Sequence, residues 1–183
     1  LLARLQRDAR HFIVAFGRIG SRDSPSLHAT HIPRPLRAVA EVLRSEFPDR
    51  VRAAIRFDLN LSRRMYAGGD LLLIPSRYEP CGLTQLISMR YGTIPVANPT
   101  GGLIDTIINS TDSQGGTGFL SSSRNADQFT NALKKAIDVF HKSSAWKRIT
   151  HNAMNQDFSW EKSAEKYCAL YQELTSSSNQ EEK

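Results

Sequence analysis

Short apolar runs alternate with amphipathic segments along most of the chain. Mostly apolar runs predict strands at 11–17, 51–57, 71–75, 93–98 and 116–120. The segments between them carry apolar residues at the spacing of a helix face, which predicts helices over 35–47, 61–69, 82–92 and 101–110. After the last strand, the pattern predicts three further helices, at 125–141, 143–155 and 160–174.

Apolar strands that alternate with helices are typical of a parallel sheet covered by helices on both faces. We therefore predict the α/β class, with a doubly wound, Rossmann-like parallel sheet within residues 1–158. Residues 159–175 are expected to form a closing helix, and the polar segment 176–183 a disordered tail. The stretch 18–34, rich in Ser, Pro and His, predicts a mobile surface loop.

The loop PSRYEPCGLTQ, residues 75–85, follows a predicted buried strand and leads into a helix. Ligands of doubly wound sheets bind in loops of this kind. Pro80 disfavours the α conformation at Glu79, so the chain should turn at Cys81 and Gly82. Free N–H groups at the start of the following helix suit phosphate oxygens, whereas Glu79 suits sugar hydroxyls. The loop therefore indicates a sugar-nucleotide site, and the alternative is a glutamate that only interacts with the helix dipole.

A second loop, PTGGLID at 99–105, follows the next predicted strand and also opens a helix. Its Gly101 and Gly102 permit either close approach of a ligand or a turn with positive φ. Because the two strands are expected to be neighbours, we predict that Thr100, Gly101 and Gly102 form a second wall of the same donor-binding crevice.

Composition narrows the class of protein. No apolar run reaches the roughly 18 residues of a membrane span, and Cys81 and Cys168 are far apart, which favours a reducing compartment. No spacing of ligands indicates a metal, and we expect no cofactor.

Residues 1–64 hold thirteen arginines against six acidic residues, which favours an anionic partner or a solvated basic surface. The opening LLARLQRD lacks methionine, so we interpret the chain as a piece of a longer protein.

Four motifs together resemble one enzyme family. EPCGL (79–83), MRYG (89–92), TGGL (100–103) and DFSW (157–160) occur in the order and spacing of the glycogen/starch synthases, retaining glucosyltransferases of the GT-B fold. The similarity extends from about residue 47 to 174 and is weak over 1–46. It implies that the chain is the C-terminal, donor-binding half of such an enzyme.

The resemblance also implies roles for individual residues. Glu79 matches the catalytic glutamate that contacts the glucosyl group of the nucleotide sugar. Cys81, Gly82 and Leu83 match the turn that surrounds this sugar, and Thr84 matches the position that touches the distal phosphate.

Aromatic residues are assigned by the same resemblance. Phe57 matches an aromatic residue, usually tyrosine, that stacks on the nucleobase; without the resemblance it could equally be a core residue. Phe158, Trp160 and Tyr167 are expected to pack the closing helix rather than bind a ligand.

The implied reaction transfers glucose from ADP-glucose or UDP-glucose to the non-reducing end of an α-1,4-glucan, with retention. The acceptor would bind an N-terminal domain outside these 183 residues, so the isolated chain should be inactive; nucleic-acid and membrane partners are not expected. The compartment would be the plastid stroma in a plant or alga, or the bacterial cytoplasm. Departures from the family pattern at 15–20 (AFGRIG) and 59–63 (LNLSR) favour an alternative, a noncatalytic glucan-binding or regulatory module. The RLxxQKG segment that the family carries at the start of this domain is expected just before residue 1.

Overall fold

A computed structural model describes residues 12–14, 34–48, 51–54, 58–110 and 115–181. Its elements, in chain order, are β1 (Phe12–Val14), α1 (Arg34–Glu46), α2 (Leu59–Gly68), β2 (Leu71–Ile74), α3 (Thr84–Arg90), β3 (Ile94–Ala97), α4 (Gly102–Thr106), β4 (Phe119–Leu120), α5 (Ala126–Phe140), α6 (Ser143–Met154) and α7 (Trp160–Glu181). Most of the predicted elements are present. The predicted loop at 18–34 lies outside the described residues except for Arg34, which begins α1, and the division at 158/159 stays a prediction.

The described strands form one parallel sheet in the order β1-β2-β3-β4. Leu71 lies opposite Ile94, and Ile74 lies opposite Ala97, so β2 and β3 end at the same edge. The predicted α/β class with a parallel sheet is therefore confirmed.

The two faces of the sheet are buried by different helices. Leu71 and Leu73 of β2 pack on one face, whereas Leu72 and Ile74 pack on the other, as expected from the two-residue period of a strand. On the first face, α3, α5 and α6 contribute buried side chains to one cluster: Met89, Ala132, Leu133, Ala136, Ile137, Ile149 and Ala153. On the second face, α2 and the segment that contains α4 contribute Tyr66, Leu103 and Ile107.

Side-chain caps fix where two helices begin. Asp58 Oδ1 accepts a hydrogen bond from the Leu61 N–H (2.9 Å), and Asn125 Oδ1 accepts one from the Gln128 N–H (2.8 Å). Each cap satisfies a backbone donor that has no partner inside the helix.

Two predicted elements before β4 differ from the observed ones. Residues 51–54 are not a strand, because the Val51 N–H donates to the Phe47 carbonyl (2.8 Å) and continues the turn that follows α1. Helix α4 is shorter than the predicted 101–110. Beyond it the chain is extended, the Ile108 N–H donates to Thr117 Oγ1 (2.9 Å), and Asn109 pairs with Gly118.

Helix α7 continues past the predicted end at 174 or 175 and reaches Glu181. Its last turns contain neither Gly nor Pro to end the helix. The hydroxyls of Thr175 and Ser176 donate to carbonyls of the preceding turn, Tyr171 O (3.0 Å) and Gln172 O (2.7 Å). These bonds satisfy polar side chains that would otherwise favour a turn. The expectation of disorder at 176–183 stays a prediction.

The start of α7 is fixed by polar contacts rather than by packing. The Ser159 N–H donates to Asp157 Oδ1 (3.0 Å), and hydrogen bonds from Ser159 lower the pKa of Asp157. Trp160 is 87% exposed, and Phe158 and Tyr167 are also exposed. The prediction that these three rings pack the closing helix is therefore wrong for the described structure.

Two negative findings concern the described part of the chain. None of its helices is long and apolar enough to cross a membrane. It also contains no cluster of three or more His, Cys, Asp or Glu side chains that could hold a metal ion.

Tyr66 connects α2 to the sheet and to the end of α3. Its side chain is buried, and its ring stacks on that of Tyr91 with centroids 6.3 Å apart. Burial raises the pKa of Tyr66 to about 12, because the phenolate would lose its hydration. The neutral phenol therefore stabilises the fold fully below pH 10.0, and this contribution is lost as the pH rises towards about 12.

We predict that Tyr66→Phe makes the free energy of unfolding less sensitive to alkali. Between pH 10.0 and about 12 the wild-type decline should be steeper than that of the variant, by at most about 1.4 kcal/mol per pH unit. Urea unfolding at a series of pH values measures both slopes. Tyr78→Phe is the matched control because the Tyr78 ring is 76% exposed. Equal slopes for wild type and Tyr66→Phe would contradict the assignment.

Candidate functional site

Two loops leave the sheet at the carboxyl ends of neighbouring strands. The first loop, residues 75–83, joins β2 to α3, and the second loop, residues 98–101, joins β3 to α4. Since β2 and β3 are parallel and end at the paired residues Ile74 and Ala97, both loops start side by side. This edge is where doubly wound sheets bind ligands.

Asn98 ties the starts of the two loops together. Its N–H donates to the Ile74 carbonyl (3.2 Å), and its Nδ2 donates to the Ser76 carbonyl (3.3 Å). Its Oδ1 accepts a hydrogen bond from Ser121 Oγ (2.9 Å), just beyond β4. One buried amide thus links the ends of three strands.

The carbonyl of Arg77 is a second link between the loops. It accepts hydrogen bonds from Thr100 Oγ1 (3.4 Å) and from Arg124 Nη1 (3.3 Å). Thr100 is 6% exposed, so its hydroxyl helps to build the loop pair. Its predicted contact with a donor stays a prediction.

Gly101, at the end of the second loop, and Gly102, at the start of α4, lie directly against the backbone of the first loop. A Cβ on Gly101 would stand 1.8 Å from the Glu79 carbonyl oxygen, and one on Gly102 would stand 2.3 Å from that of Cys81. The Gly102 N–H donates to the Pro80 carbonyl (3.3 Å). Gly101 also has φ +47, a conformation that side chains disfavour. The two glycines therefore serve loop-to-loop contact, and their predicted role in donor binding stays a prediction.

The remaining predicted site residues lie together in and just after the first loop. Glu79 and Thr84 are half-buried, Cys81 is exposed, and Leu83 is 63% exposed. Leu83 is the N-cap residue of α3, and its side chain makes no capping hydrogen bond. The loop therefore presents a carboxylate, a thiol and an exposed apolar side chain within five residues. Phe57 lies outside the described residues, so its predicted stacking role stays a prediction.

Gln85 supports the first loop and was not among the site residues predicted from the sequence. Its side chain is fully buried, and its Nε2 approaches the carbonyl oxygens of Cys81 (3.1 Å) and Gly82 (3.0 Å) and also Thr106 Oγ1 (3.2 Å). Gly82 has φ +72, and a Cβ there would stand 2.6 Å from Gln85 Oε1. The signal in the sequence is an amide within one helical turn of a Cys-Gly turn.

We predict that Gly101→Ala destabilises the fold, whereas Gly68→Ala does not. An alanine at φ +47 should cost about 1–3 kcal/mol, and its methyl group would also displace the Glu79 carbonyl. Gly68 is the matched control, because it is helical and nothing lies within 4 Å of its would-be Cβ. Chemical denaturation of both variants measures the difference, and equal stabilities would contradict the observed loop contact.

The chain matches the family model described as Glycosyl transferases group 1 over residues 49–153. The glycogen synthase of Exiguobacterium sibiricum is 46% identical over 134 residues, which is 72% of this chain and 28% of that protein. The glycogen synthase of Haemophilus influenzae is 41% identical over 150 residues, which is 80% of this chain and 31% of that protein.

A solved structure gives a similar match. The catalytic domain of starch synthase IV from Arabidopsis thaliana, bound to ADP and acarbose, aligns with a TM-score of 0.67 and 38% identity. The alignment covers 79% of this chain and 30% of that structure. Both loops lie inside the segment matched by the family model. The chain spans less than a third of the length of these two curated relatives.

Proposed function

Because the chain belongs to the glycosyl transferases group 1 family, we propose that it is the donor-binding part of a glucosyltransferase of the glycogen and starch synthase type. The observation that carries the proposal is the joined pair of loops at one sheet edge. The first loop contains EPCGL, and TGGL spans the end of the second loop and the start of α4; both motifs resemble the synthases. A nucleotide sugar needs hydrogen-bond donors for its phosphates and acceptors for its sugar hydroxyls at one place.

The proposed reaction moves glucose from a nucleotide sugar to the non-reducing end of an α-1,4-glucan, with retention at the anomeric carbon. The donor is ADP-glucose or UDP-glucose. The starch synthase IV structure is bound to ADP, which supports the adenine nucleotide. We assign the acceptor glucan to the part of the relatives' length that this chain does not span.

Each residue of the first loop has a proposed task. Glu79 accepts hydrogen bonds from hydroxyls of the glucosyl group, because a carboxylate is a strong acceptor and would repel phosphate. Cys81 and Leu83 lie against the sugar. Thr84 and the backbone N–H groups of residues 82–84 stabilise the negative charge that grows on the departing diphosphate.

Three finer assignments are also proposals. Phe57 stacks on the nucleobase, and Thr100, Gly101 and Gly102 form the second wall of the donor site. The protein works in the plastid stroma if its source is a plant or alga, and in the cytoplasm if its source is bacterial. The departures at 15–20 and 59–63 favour the noncatalytic module, whereas the curated relatives and the starch synthase IV structure favour the enzyme.

We predict that Glu79→Ala weakens the binding of ADP-glucose but not of ADP. Hydrogen bonds to a charged group contribute about 1.5–3 kcal/mol, so the dissociation constant for ADP-glucose should rise about 10- to 100-fold. ADP lacks the glucosyl group that Glu79 is proposed to hold. Ligand-observed NMR titration suits the weak affinity expected of the 183 residues alone, with UDP-glucose as a parallel ligand.

The control for this experiment is Glu161→Gln, an exposed carboxylate on α7 rather than on either loop. It should leave both dissociation constants unchanged. Equal loss of ADP and ADP-glucose binding in Glu79→Ala would contradict the task proposed for Glu79. Absence of any nucleotide binding by the folded wild-type chain would contradict the donor-binding proposal, and would agree with the noncatalytic alternative.

A further inference from the structure

Gln85 is a fully buried amide at the start of α3, directly beneath the first loop. Burying an amide is costly unless its groups are hydrogen-bonded. Its Nε2 has two hydrogens and three acceptors within 3.2 Å, the carbonyls of Cys81 and Gly82 and the hydroxyl of Thr106. The amide is therefore engaged with the backbone of the turn and with α4 at the same time.

The orientation of this amide follows from its surroundings. Gln85 Oε1 is buried and has no hydrogen-bond partner among the described residues. Exchanging Oε1 and Nε2 would bring an acceptor against two carbonyl oxygens, which is repulsive, so Nε2 must face the turn. The amide holds the carbonyls of Cys81 and Gly82 towards the interior.

Inward carbonyls orient the N–H groups of the same peptide units. In a trans peptide the C=O and the N–H point in opposite directions, and the described chain has no cis peptide bond. The Gly82 and Leu83 N–H groups therefore point away from Gln85. Gly82 has φ +72, whereas Leu83 is in the αR region (φ −108°, ψ −18°). A residue with positive φ followed by one in the αR region brings successive backbone N–H groups to one side, where they suit an anion.

Thr106 extends these contacts to the start of α4. Its hydroxyl accepts from Gln85 Nε2 and donates to the Gly102 carbonyl. The Gly102 N–H in turn donates to the Pro80 carbonyl (3.3 Å). The contacts form a closed circuit that joins the first loop, α3 and α4.

We infer that Gln85 is a positioning residue, which orients the backbone N–H groups of Gly82 and Leu83 towards the diphosphate of the donor. The inference rests on the proposed function for its ligand, but the support of the loop by Gln85 can be tested without any ligand. Gln85 acts through the backbone and does not contact the donor.

Two substitutions distinguish the hydrogen-bonding role of the Gln85 side chain from the volume that it fills. Gln85→Met keeps a similar length but removes the N–H donors, and it should weaken ADP and ADP-glucose by the same factor, about tenfold, since both carry the diphosphate. This equal loss differs from Glu79→Ala, which should spare ADP. At pH 8 the Gln85→Glu variant should bind ADP and ADP-glucose as weakly as Gln85→Met does. It should regain affinity towards pH 5, because its protonated carboxyl supplies one hydrogen-bond donor to the turn.

A readout without ligand tests the circuit itself. Gln85→Met should speed hydrogen exchange of the Gly102 amide about tenfold, since the turn that follows Pro80 and the Thr106 hydroxyl both lose their hydrogen bonds to Gln85. The Ser121 amide, which donates to the Ala97 carbonyl (3.0 Å), should keep its exchange rate. Thr106→Val is the matched variant: it breaks the link to α4 but leaves both turn carbonyls bonded, so it should speed Gly102 exchange and affect ADP less than Gln85→Met does.

The outcomes distinguish the two proposals. Unchanged ADP binding and unchanged Gly102 exchange in a folded Gln85→Met overturn the role of Gln85. If wild type binds neither ADP nor ADP-glucose while Gln85→Met still speeds Gly102 exchange, the donor-binding function fails and the support of the loop by Gln85 stands. If Gln85→Met does not fold, Gln85→Glu is compared with wild type at pH 8 and at pH 5. A Gly102 amide that is less protected than in wild type at pH 8 but equally protected at pH 5 supports the role of Gln85. Equal protection in variant and wild type at both pH values overturns it.

Discussion

At the carboxyl ends of β2 and β3, two stretches of backbone lie so close that no side chain fits between them. The carbonyls of Glu79 and Cys81 occupy the space where Gly101 and Gly102 would otherwise carry a Cβ. Close approach of this kind requires that the polar groups enclosed between the loops find partners within the protein. The hydrogen bonds of Asn98, Gln85 and the Gly102 amide meet this requirement, so the chemistry of the first loop depends on the contact between the two backbones.

The sheet supplies the rigidity that such a contact needs. Alternate side chains of β2 are buried on opposite faces, and helices cover both, so neither strand can shift its register without exposing apolar residues. The first loop, which carries the carboxylate of Glu79, is consequently anchored at both ends, by β2 on one side and by the buried Gln85 of α3 on the other. A rigid scaffold with functional loops at one edge is the usual arrangement in this fold class.

What could be predicted from the sequence follows from the range of each interaction. The strands and helices are local patterns, and Glu79 and the Gly101-Gly102 pair stand in loops whose positions follow from those patterns. The role of Gln85 could not be predicted in this way, because its partner Thr106 is 21 residues away and only the fold brings them together. The glycines illustrate the same limit: the sequence indicated that space was required, but only the structure shows that the first loop fills it. The predicted strand at 51–57 is wrong over the described residues 51–54, where the Val51 N–H bonds to the Phe47 carbonyl and the apolar pattern is too short to favour a strand over this turn.

The exposure of Trp160 has a spectroscopic consequence. The chain contains two tryptophans, and their surroundings differ sharply. Trp146 is half-buried and meets the ring of Phe140 edge to face, with centroids 5.0 Å apart, whereas Trp160 is 87% exposed. Fluorescence from Trp146 therefore reports on the packing of α6 against α5, while Trp160 emits from a water-like environment and is open to a dissolved quencher. A single emission spectrum thus contains one signal sensitive to the core and one that is nearly indifferent to it.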